Sequence, residues 1–142
     1  MICLGRDDPR YPAVLRDLEP GPERLWVDGS ADALHGPAVA IVGTRRMTPY
    51  GQRVAGELAA ALAGAGATVV SGLAPGIDCT AHASALDAGG SSIAVLGEGI
   101  TSFLANSGGR RRRLAMAIRE RVHLVRHGGE ARCAANHGDA SR

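Results

Sequence analysis

The sequence contains no lysine and very few aromatic residues. All sixteen of its basic residues are arginine, and aromatic residues make up 3% of the 142 positions. A chain of this length fits one domain with one core, and that core must be built from Ala, Val, Leu and Ile. The scarcity of aromatic rings argues against a surface that binds nucleic acid mainly by stacking bases.

Cysteines are few and scattered. Cys3, Cys79 and Cys133 have neither the spacing of a metal motif nor the even number of a disulfide framework. We therefore expect no metal site and no cofactor, and a protein of the reducing cytoplasm.

The sequence also lacks a signal peptide pattern and a convincing membrane span. No basic segment followed by an apolar one opens the chain. The uncharged run 58–77 is twenty residues long, which is enough to cross a bilayer. Four glycines and Pro75 interrupt that run, so we expect no membrane partner.

Charge is unevenly distributed along the chain. Residues 1–109 carry seven arginines and eleven acids, whereas residues 110–142 carry nine arginines and three acids. A basic arm that meets a polyanion and a solvated tail both fit this asymmetry, and charge alone favours the tail. We predict a disordered tail at 129–142. The run Arg110–Arg113 is either a solvated helix start or a contact to nucleic-acid phosphates.

Short apolar runs that end at glycine alternate with helical segments. The runs Val39–Val42, Ala67–Val70 and Ser92–Leu96 are typical of strands buried on both faces of a parallel sheet. Their spacing predicts two βαβ units, and right-handed crossovers then give an α/β fold, a three-layer Rossmann-like sandwich with a mainly parallel sheet. This domain is predicted at 37–128, after a lead-in segment at 1–36.

Helix signals fill the gaps between the predicted strands. Thr48 and Pro49 begin a helix whose core-facing stripe is predicted at Val54, Leu58 and Leu62, with Ala55 and Ala61 beside them. Asp78 is the predicted N-cap of the next helix.

The remaining segments give weaker patterns. The lead-in is expected to be irregular, with a short helix near Ala13–Leu18 and a short strand at Arg24–Asp28. Beyond the third buried strand, the pattern predicts a loop at Thr101–Gly109, a helix at Arg113–Glu120 and a strand at Val122–Val125.

Three turns are expected to meet at one edge of this sheet. They are Gly43–Arg46, Ser71–Asp78 and Gly97–Gly99, and each follows a strand whose carboxyl end lies at the ligand-binding edge. Glycines allow close approach to the backbone, a helix N-terminus attracts anions, and arginine holds a phosphate bidentately. We therefore expect a phosphate-binding site there.

The same turns carry a family resemblance. The segments Ala40–Arg45, Ser71–Leu86 and Gly89–Gly99, together with Tyr11–Leu18 and Leu25–Gly29, resemble the DNA-processing protein A family, also called Smf. The resemblance covers about the first hundred residues. It implies a Rossmann-like domain that binds single-stranded DNA and passes it to a RecA-type recombinase during natural transformation. A homodimer is a further expectation.

The resemblance and the three turns together define a predicted DNA-phosphate site. Arg45 and the loop Ser71–Gly76 would line the pocket, while Asp78 and His82 are expected to form a structural pair rather than a catalytic one. The predicted site consists of Gly43, Thr44, Arg45, Ser71, Gly72, Leu73, Ala74, Gly76, Asp78, His82, Gly97 and Gly99.

The chain departs from the family pattern at several positions. Pro75 stands where the family usually has arginine, and Glu98 places a negative charge in a phosphate-binding turn. Thr101–Phe103 stands where the family has Tyr-Pro, and Arg126-His127 where it has Ser-Glu. The Arg-Asn-Arg motif of the family is missing, so we expect the far edge of the sheet, a share of the DNA contacts and the usual dimer surface to be absent or rebuilt.

Three functions remain open on the sequence. The first is a binder of single-stranded DNA with no catalysis of its own. The second is a mononucleotide-binding module of the same fold. The third is a nucleotide N-glycosidase in which Glu98 is the carboxylate that stabilises a ribosyl cation.

Overall fold

The computed structural model describes residues 1–121 and 124–127. The predicted disordered tail at 129–142 lies outside these residues. Among the residues that are described, no helix is long and apolar enough to span a membrane.

Six strands form a single sheet. They are β1 (Ile2–Gly5), β2 (Arg24–Asp28), β3 (Ala38–Ala40), β4 (Thr68–Ser71), β5 (Ser92–Leu96) and β6 (Leu124–His127). Their order across the sheet is β1-β2-β6-β5-β4-β3. The strands from β3 to β6 pair in parallel, and β2 pairs antiparallel with both β6 and β1. The predicted α/β class with a mainly parallel sheet is therefore confirmed.

Helix α1 (Ala13–Arg16) lies between the antiparallel strands β1 and β2. The parallel strands are connected by α2 (Pro49–Gly64), α3 (Ile77–Asp87), α4 (Ile100–Asn106) and α5 (Gly109–Arg121). Helix α3 packs against both α2 and α5, and α2 and α3 each contact β4. The start of α2 follows its sequence signal, because Thr48 Oγ1 accepts a hydrogen bond from the Gly51 N–H at 3.1 Å and Pro49 occupies the first turn.

The buried side chains fall into two clusters. The aromatic cluster packs around β1, β2 and β5 and contains Leu4, Tyr11, Leu25, Trp26, Val27, Ala31, Leu73, Ile93, Ala94, Leu96, Ile100, Phe103 and Ala115. The alanine cluster lies between α2, α3 and β4 and contains Ile41, Ala55, Ala59, Ala63, Val69, Ile77, Ala81 and Ala85. The first uses large side chains and the second mostly small ones.

The predicted apolar stripe of α2 is wrong at Val54, Leu58 and Ala61, although Ala55 is buried as predicted. Val54 and Leu58 are 39% and 50% exposed, whereas Ala55 and Ala59 are buried. One residue along an α-helix is a rotation of about 100°, so the small side chains face α3 and the large ones face outward. Of the large side chains in the predicted stripe, Leu62 alone packs against the alanine cluster.

Two further predictions are corrected by the structure, one in the lead-in and one after β5. The lead-in is not irregular, because β1 lies within it and pairs with β2 in the main sheet. The predicted loop at Thr101–Gly109 is largely helical, since α4 spans Ile100–Asn106. Neither segment has the long apolar periodicity that would have revealed it, and both depend on contacts with distant parts of the chain.

Candidate functional site

The turns after β3, β4 and β5 border one cleft at the carboxyl edge of the sheet. Its volume is about 510 Å³, and α4 and α5 complete its wall. The lining residues are Arg45, Gly72, Ala74, Pro75, Leu96, Gly97, Glu98, Phe103 and Arg111. All three predicted turns thus contribute to the same site, as expected for the open edge of a parallel sheet.

Asp78 fastens two of these turns together. Its Oδ1 accepts a hydrogen bond from the Gly43 N–H at 3.2 Å, and its Oδ2 accepts one from the Gly72 N–H at 3.1 Å. Only 6% of Asp78 is exposed. The predicted N-cap role is wrong, because Gly76 occupies that position and Asp78 lies in the first turn of α3. The carboxylate already occupies these two backbone donors, so a phosphate must be held by other groups.

Ser71 and His82 are buried and serve the frame of the site. Ser71 Oγ donates to the Ile41 carbonyl at 2.6 Å, which joins β4 to the end of β3. His82 Nδ1 lies 2.5 Å from Ser92 Oγ, which in turn donates to the Val69 carbonyl at 2.9 Å.

His82 is fully buried, and this burial lowers its pKa to about 4. The ring is therefore neutral near pH 7. Its hydrogen-bonding partner is Ser92, while the Asp78 carboxylate accepts from backbone groups. The expected structural pair of Asp78 and His82 is therefore not joined by a hydrogen bond.

The backbone of the second turn is tightly constrained. Leu73 has a φ of 56° although it is not glycine, and its side chain is fully buried. Gly76 has a φ of 95°, and a Cβ at this position would collide with the Thr44 carbonyl. The Ile77 N–H donates to that same carbonyl at 3.2 Å. Glycine at 76 therefore lets the first and second turns lie against each other.

Two arginines that are far apart in the sequence, Arg45 and Arg111, line the cleft. Arg45 follows β3 and is exposed. Arg111 lies on α5, where its Nε donates to the Leu73 carbonyl at 2.9 Å and its guanidinium carbon lies 4.8 Å from the centroid of the Phe103 ring. Guanidinium groups bind phosphate oxygens bidentately, so the cleft can hold an anion by side chains rather than by backbone N–H groups.

The predicted site residues fall into three sets: four that line the cleft, four that are buried, and four with other contacts. Arg45, Gly72, Ala74 and Gly97 line the cleft. Ser71, Leu73, Asp78 and His82 are buried behind it. Of the others, Gly43 packs tightly on Ile77, Thr44 Oγ1 accepts from the Arg46 N–H, Gly76 borders an adjoining pocket, and Gly99 precedes α4.

Sequence reasoning missed Phe103 and Arg111 as lining residues. The only signal for Arg111 was the run of four arginines at 110–113, which does not say which of them faces the cleft. Phe103 gave no signal, because its segment was predicted to be a loop. Glu98 is exposed at the cleft and lies within 3.5 Å of Ser102 Oγ.

Comparison with known proteins places this arrangement in a family. Residues 2–127 match the family described as DNA recombination-mediator protein A. The chain belongs to this family. Protein Smf of Escherichia coli strain K12 is 40% identical over 117 residues, which cover 82% of this chain and 30% of that relative. Protein Smf of a Synechocystis strain is 44% identical over 101 residues, which cover 68% of this chain and 25% of that relative.

Two solved structures of the family share the fold. DNA processing protein A from Streptococcus pneumoniae superposes with a TM-score of 0.78 at 32% identity, covering 92% of this chain and 45% of that one. DNA processing protein A from Helicobacter pylori, studied for its single-stranded DNA binding mode, gives a TM-score of 0.67 at 28% identity, covering 84% and 53%. The Rossmann-like fold is thus confirmed, and the chain spans about a quarter to a third of the length of these curated family members.

Proposed function

We propose that this protein binds single-stranded DNA through its phosphates in the cleft at the carboxyl edge of the sheet. The observation that carries the proposal is the presence of Arg45 and Arg111 in one cleft whose walls are glycine-containing turns. Two guanidinium groups in a recess can neutralise and orient backbone phosphates. Contacts of this kind carry no sequence information, so we expect little preference for base sequence.

The preference for single-stranded over duplex DNA in this proposal rests on the family. The Helicobacter pylori neighbour is described by its single-stranded DNA binding mode, and the family is described as a recombination mediator. We infer a role in the cytoplasm in which bound single strands pass to a RecA-type recombinase during DNA uptake and natural transformation. Homodimer formation belongs to the same inference.

The test is a titration of fluorescently labelled oligo(dT) at several salt concentrations, with a duplex of equal length beside it. Each phosphate neutralised on a single strand contributes about −0.7 to the slope of log K against log salt, so a few contacts give roughly −2 to −5. We expect a slope in that range and weaker binding to the duplex. An affinity that does not change with salt, or no binding at low salt, would contradict the proposal.

Arg45→Ala is the matching variant, and Arg46→Ala is its control. Both side chains are exposed on the same turn, but only Arg45 lines the cleft. Losing one charged hydrogen-bonding group is expected to weaken binding about tenfold, whereas the Arg46 variant should change affinity much less. Equal losses of affinity in both variants would indicate that DNA binds outside the cleft.

A nucleotide N-glycosidase is a second candidate because Glu98 lies in the same cleft. An N-glycosidase needs a carboxylate held against the sugar, and the hydrogen-bonding contact of Glu98 with Ser102 Oγ, at 3.5 Å, is too long to hold it firmly. We expect no free base when nucleotides are incubated with the protein and separated by chromatography. Glu98→Gln should instead tighten binding of oligo(dT) about two- to fivefold, because it removes a negative charge beside the phosphates. Free base released by the wild type alone would favour the enzyme.

A further inference from the structure

Arg111 is held more firmly than an arginine at a solvated helix start. One contact is the hydrogen bond from its Nε to the Leu73 carbonyl, at 2.9 Å. The other is the Phe103 ring, whose centroid lies 4.8 Å from the guanidinium carbon, which is within the distance of a cation–π contact. These two contacts fix both the position and the plane of the guanidinium.

The groups that hold Arg111 are themselves rigid. Leu73 is fully buried and its φ of 56° is set by the tight turn after β4. Phe103 is 1% exposed and belongs to the aromatic cluster. A side chain tied to two buried groups loses little further conformational freedom on binding, so less of its interaction energy is lost to ordering.

The terminal nitrogens of Arg111 are left for a ligand. Among the hydrogen bonds of the described residues, Arg111 uses only Nε, and it forms no ion pair with a described acid. It borders the 510 Å³ cleft and also an adjoining pocket of about 180 Å³ lined by Met47, Pro75, Gly76, Cys79 and Thr80. The guanidinium therefore stands where two recesses meet, and no described residue hydrogen-bonds either of its two Nη groups.

We propose that Arg111 is the pre-oriented phosphodiester ligand of this protein, and that its Nη groups bind two oxygens of one phosphate in the cleft. This inference rests on the proposed function and names the residue that selects a phosphodiester there. Arg45, which is exposed on the turn after β3, then contributes a second positive charge to the cleft. A planar fork is needed for this role, so lysine cannot replace it fully.

A purely structural role for Arg111 makes a different prediction. If the side chain only ties α5 to the turn at Leu73, its removal loosens the fold without removing a phosphate contact. The slope of log K against log salt separates the two roles, because that slope counts phosphates neutralised rather than stability. Arg112 supplies the matched control, since it is the next residue on α5, is exposed and does not line the cleft.

The experiment measures oligo(dT) affinity at several salt concentrations for wild type, Arg111→Ala, Arg111→Lys and Arg112→Ala. We expect Arg111→Ala to bind about tenfold more weakly and its slope to become less negative by about 0.7. Arg111→Lys should recover most of the slope but remain several-fold weaker, because a point charge lacks the fork. Arg112→Ala should stay within about twofold of wild type, as expected for an exposed charge.

The outcomes that contradict the inference are distinct from those that contradict the proposed function. If wild type binds oligo(dT) and Arg111→Ala keeps the wild-type slope, the inference about Arg111 fails and the proposed function stands. If wild type does not bind, both fail. Thermal unfolding of each variant accompanies the titration. If Arg111→Ala does not fold, Arg111→Lys decides, and wild-type affinity in that variant overturns the inference.

A double-mutant cycle with Phe103→Leu tests the aromatic contact separately. Phe103→Leu keeps an apolar side chain against the core and removes the ring beneath the guanidinium. We expect it to weaken DNA binding several-fold in the wild-type background and to have no effect when Arg111 is already alanine, because the ring acts through Arg111. Equal effects in both backgrounds would mean that Phe103 contacts DNA itself, and would overturn its assigned role as support for Arg111.

Discussion

The two halves of the molecule are packed by different means. The aromatic cluster contains three of the four aromatic residues, Tyr11, Trp26 and Phe103, and it closes the side of the sheet formed by β1, β2 and β5. The alanine cluster contains none, and the fourth aromatic residue, Tyr50, is 69% exposed on α2. One half is therefore stabilised by side-chain volume, and the other by close approach of backbones.

Small residues explain how α2 and α3 come so close. A Cβ at Gly56 would lie 3.0 Å from Ser84 Oγ, and a Cβ at Gly90 would lie 2.5 Å from the Ala63 Cβ. The separation of packed helices depends on the side chains at the contact. With Ala59 fully buried between the helices, there is no room for the larger residues of α2, which therefore face outward.

The alanine half consequently leaves apolar surface uncovered. Val42, Tyr50, Val54 and Leu58 are all at least 39% exposed, and β3 is an edge strand of the sheet whose three residues are exposed. The aromatic cluster has its own large side chains inside, although Met1, Val14 and Leu18 near it are exposed. Residues of the same type are therefore buried in one half and exposed in the other, and substitutions that truncate them should change the free energy of unfolding by different amounts.

Leu25→Ala should have the largest effect. Leu25 is 2% exposed in the aromatic cluster, and its replacement by alanine leaves a cavity in the core. Such a cavity lowers the free energy of unfolding by about 2–5 kcal/mol. Leu58→Ala is the matched control in the alanine half, where the side chain is 50% exposed and a change within about 0.5 kcal/mol is expected. Urea unfolding measures both. A loss at Leu58 equal to that at Leu25 would show that the outer face of α2 is covered in solution.

The next effect concerns His82, which is fully buried on α3 beside Ser92. Its pKa is lowered to about 4 by burial, so between pH 6.5 and 4 the unfolded chain binds a proton that the folded chain does not. Stability therefore falls as the pH drops through this window, by about 3 kcal/mol at pH 4.

Unfolding of wild type and His82→Gln, measured from pH 7 to pH 4, isolates this contribution. The variant should be less stable at pH 7 and should lose less stability on acidification. His35→Gln provides the control, because His35 is exposed and should leave the wild-type pH dependence intact. An identical pH dependence in wild type and His82→Gln would remove His82 as the cause.

Ala59→Leu should have a smaller effect, about 1–3 kcal/mol from overpacking. The added methylenes have no space between α2 and α3, since Ala59 is fully buried. Ala61→Leu makes the same change two residues away at an exposed position and should cost almost nothing. If Ala59→Leu were tolerated equally well, the two helices would be less closely packed than the alanine cluster indicates.

Much of the fold could be predicted from local pattern. Strand β2 and strand β5 were predicted with their observed bounds, and α2 was predicted from Thr48 and Pro49. Short buried strands and capped helices leave signals within a few residues, because apolar runs and N-caps are local. β1 and α4 left no such signal, since pairing with β2 and packing at the end of β5 are contacts between segments distant in sequence.

The site was only partly predictable for a related reason. Three glycine-containing turns predicted the edge of the sheet at which the cleft lies, because parallel strands bring their carboxyl ends together. Which groups face the cleft depends on the final packing. Asp78 turns inward to the Gly43 and Gly72 N–H groups, and Arg111 turns toward Leu73 and Phe103. Such orientations are set by partners that the linear sequence does not place side by side.

Local sequence patterns were enough to predict the α/β class, the main strands and helices, and the sheet edge at which the cleft lies, because periodicity, caps and turn residues act over short distances. The tertiary structure decided which face of α2 is buried and which arginine of the run 110–113 enters the cleft. It also decided that Asp78, rather than a ligand, occupies the backbone donors of two turns. These outcomes depend on distances between segments far apart in the chain, and only the packed molecule fixes those distances.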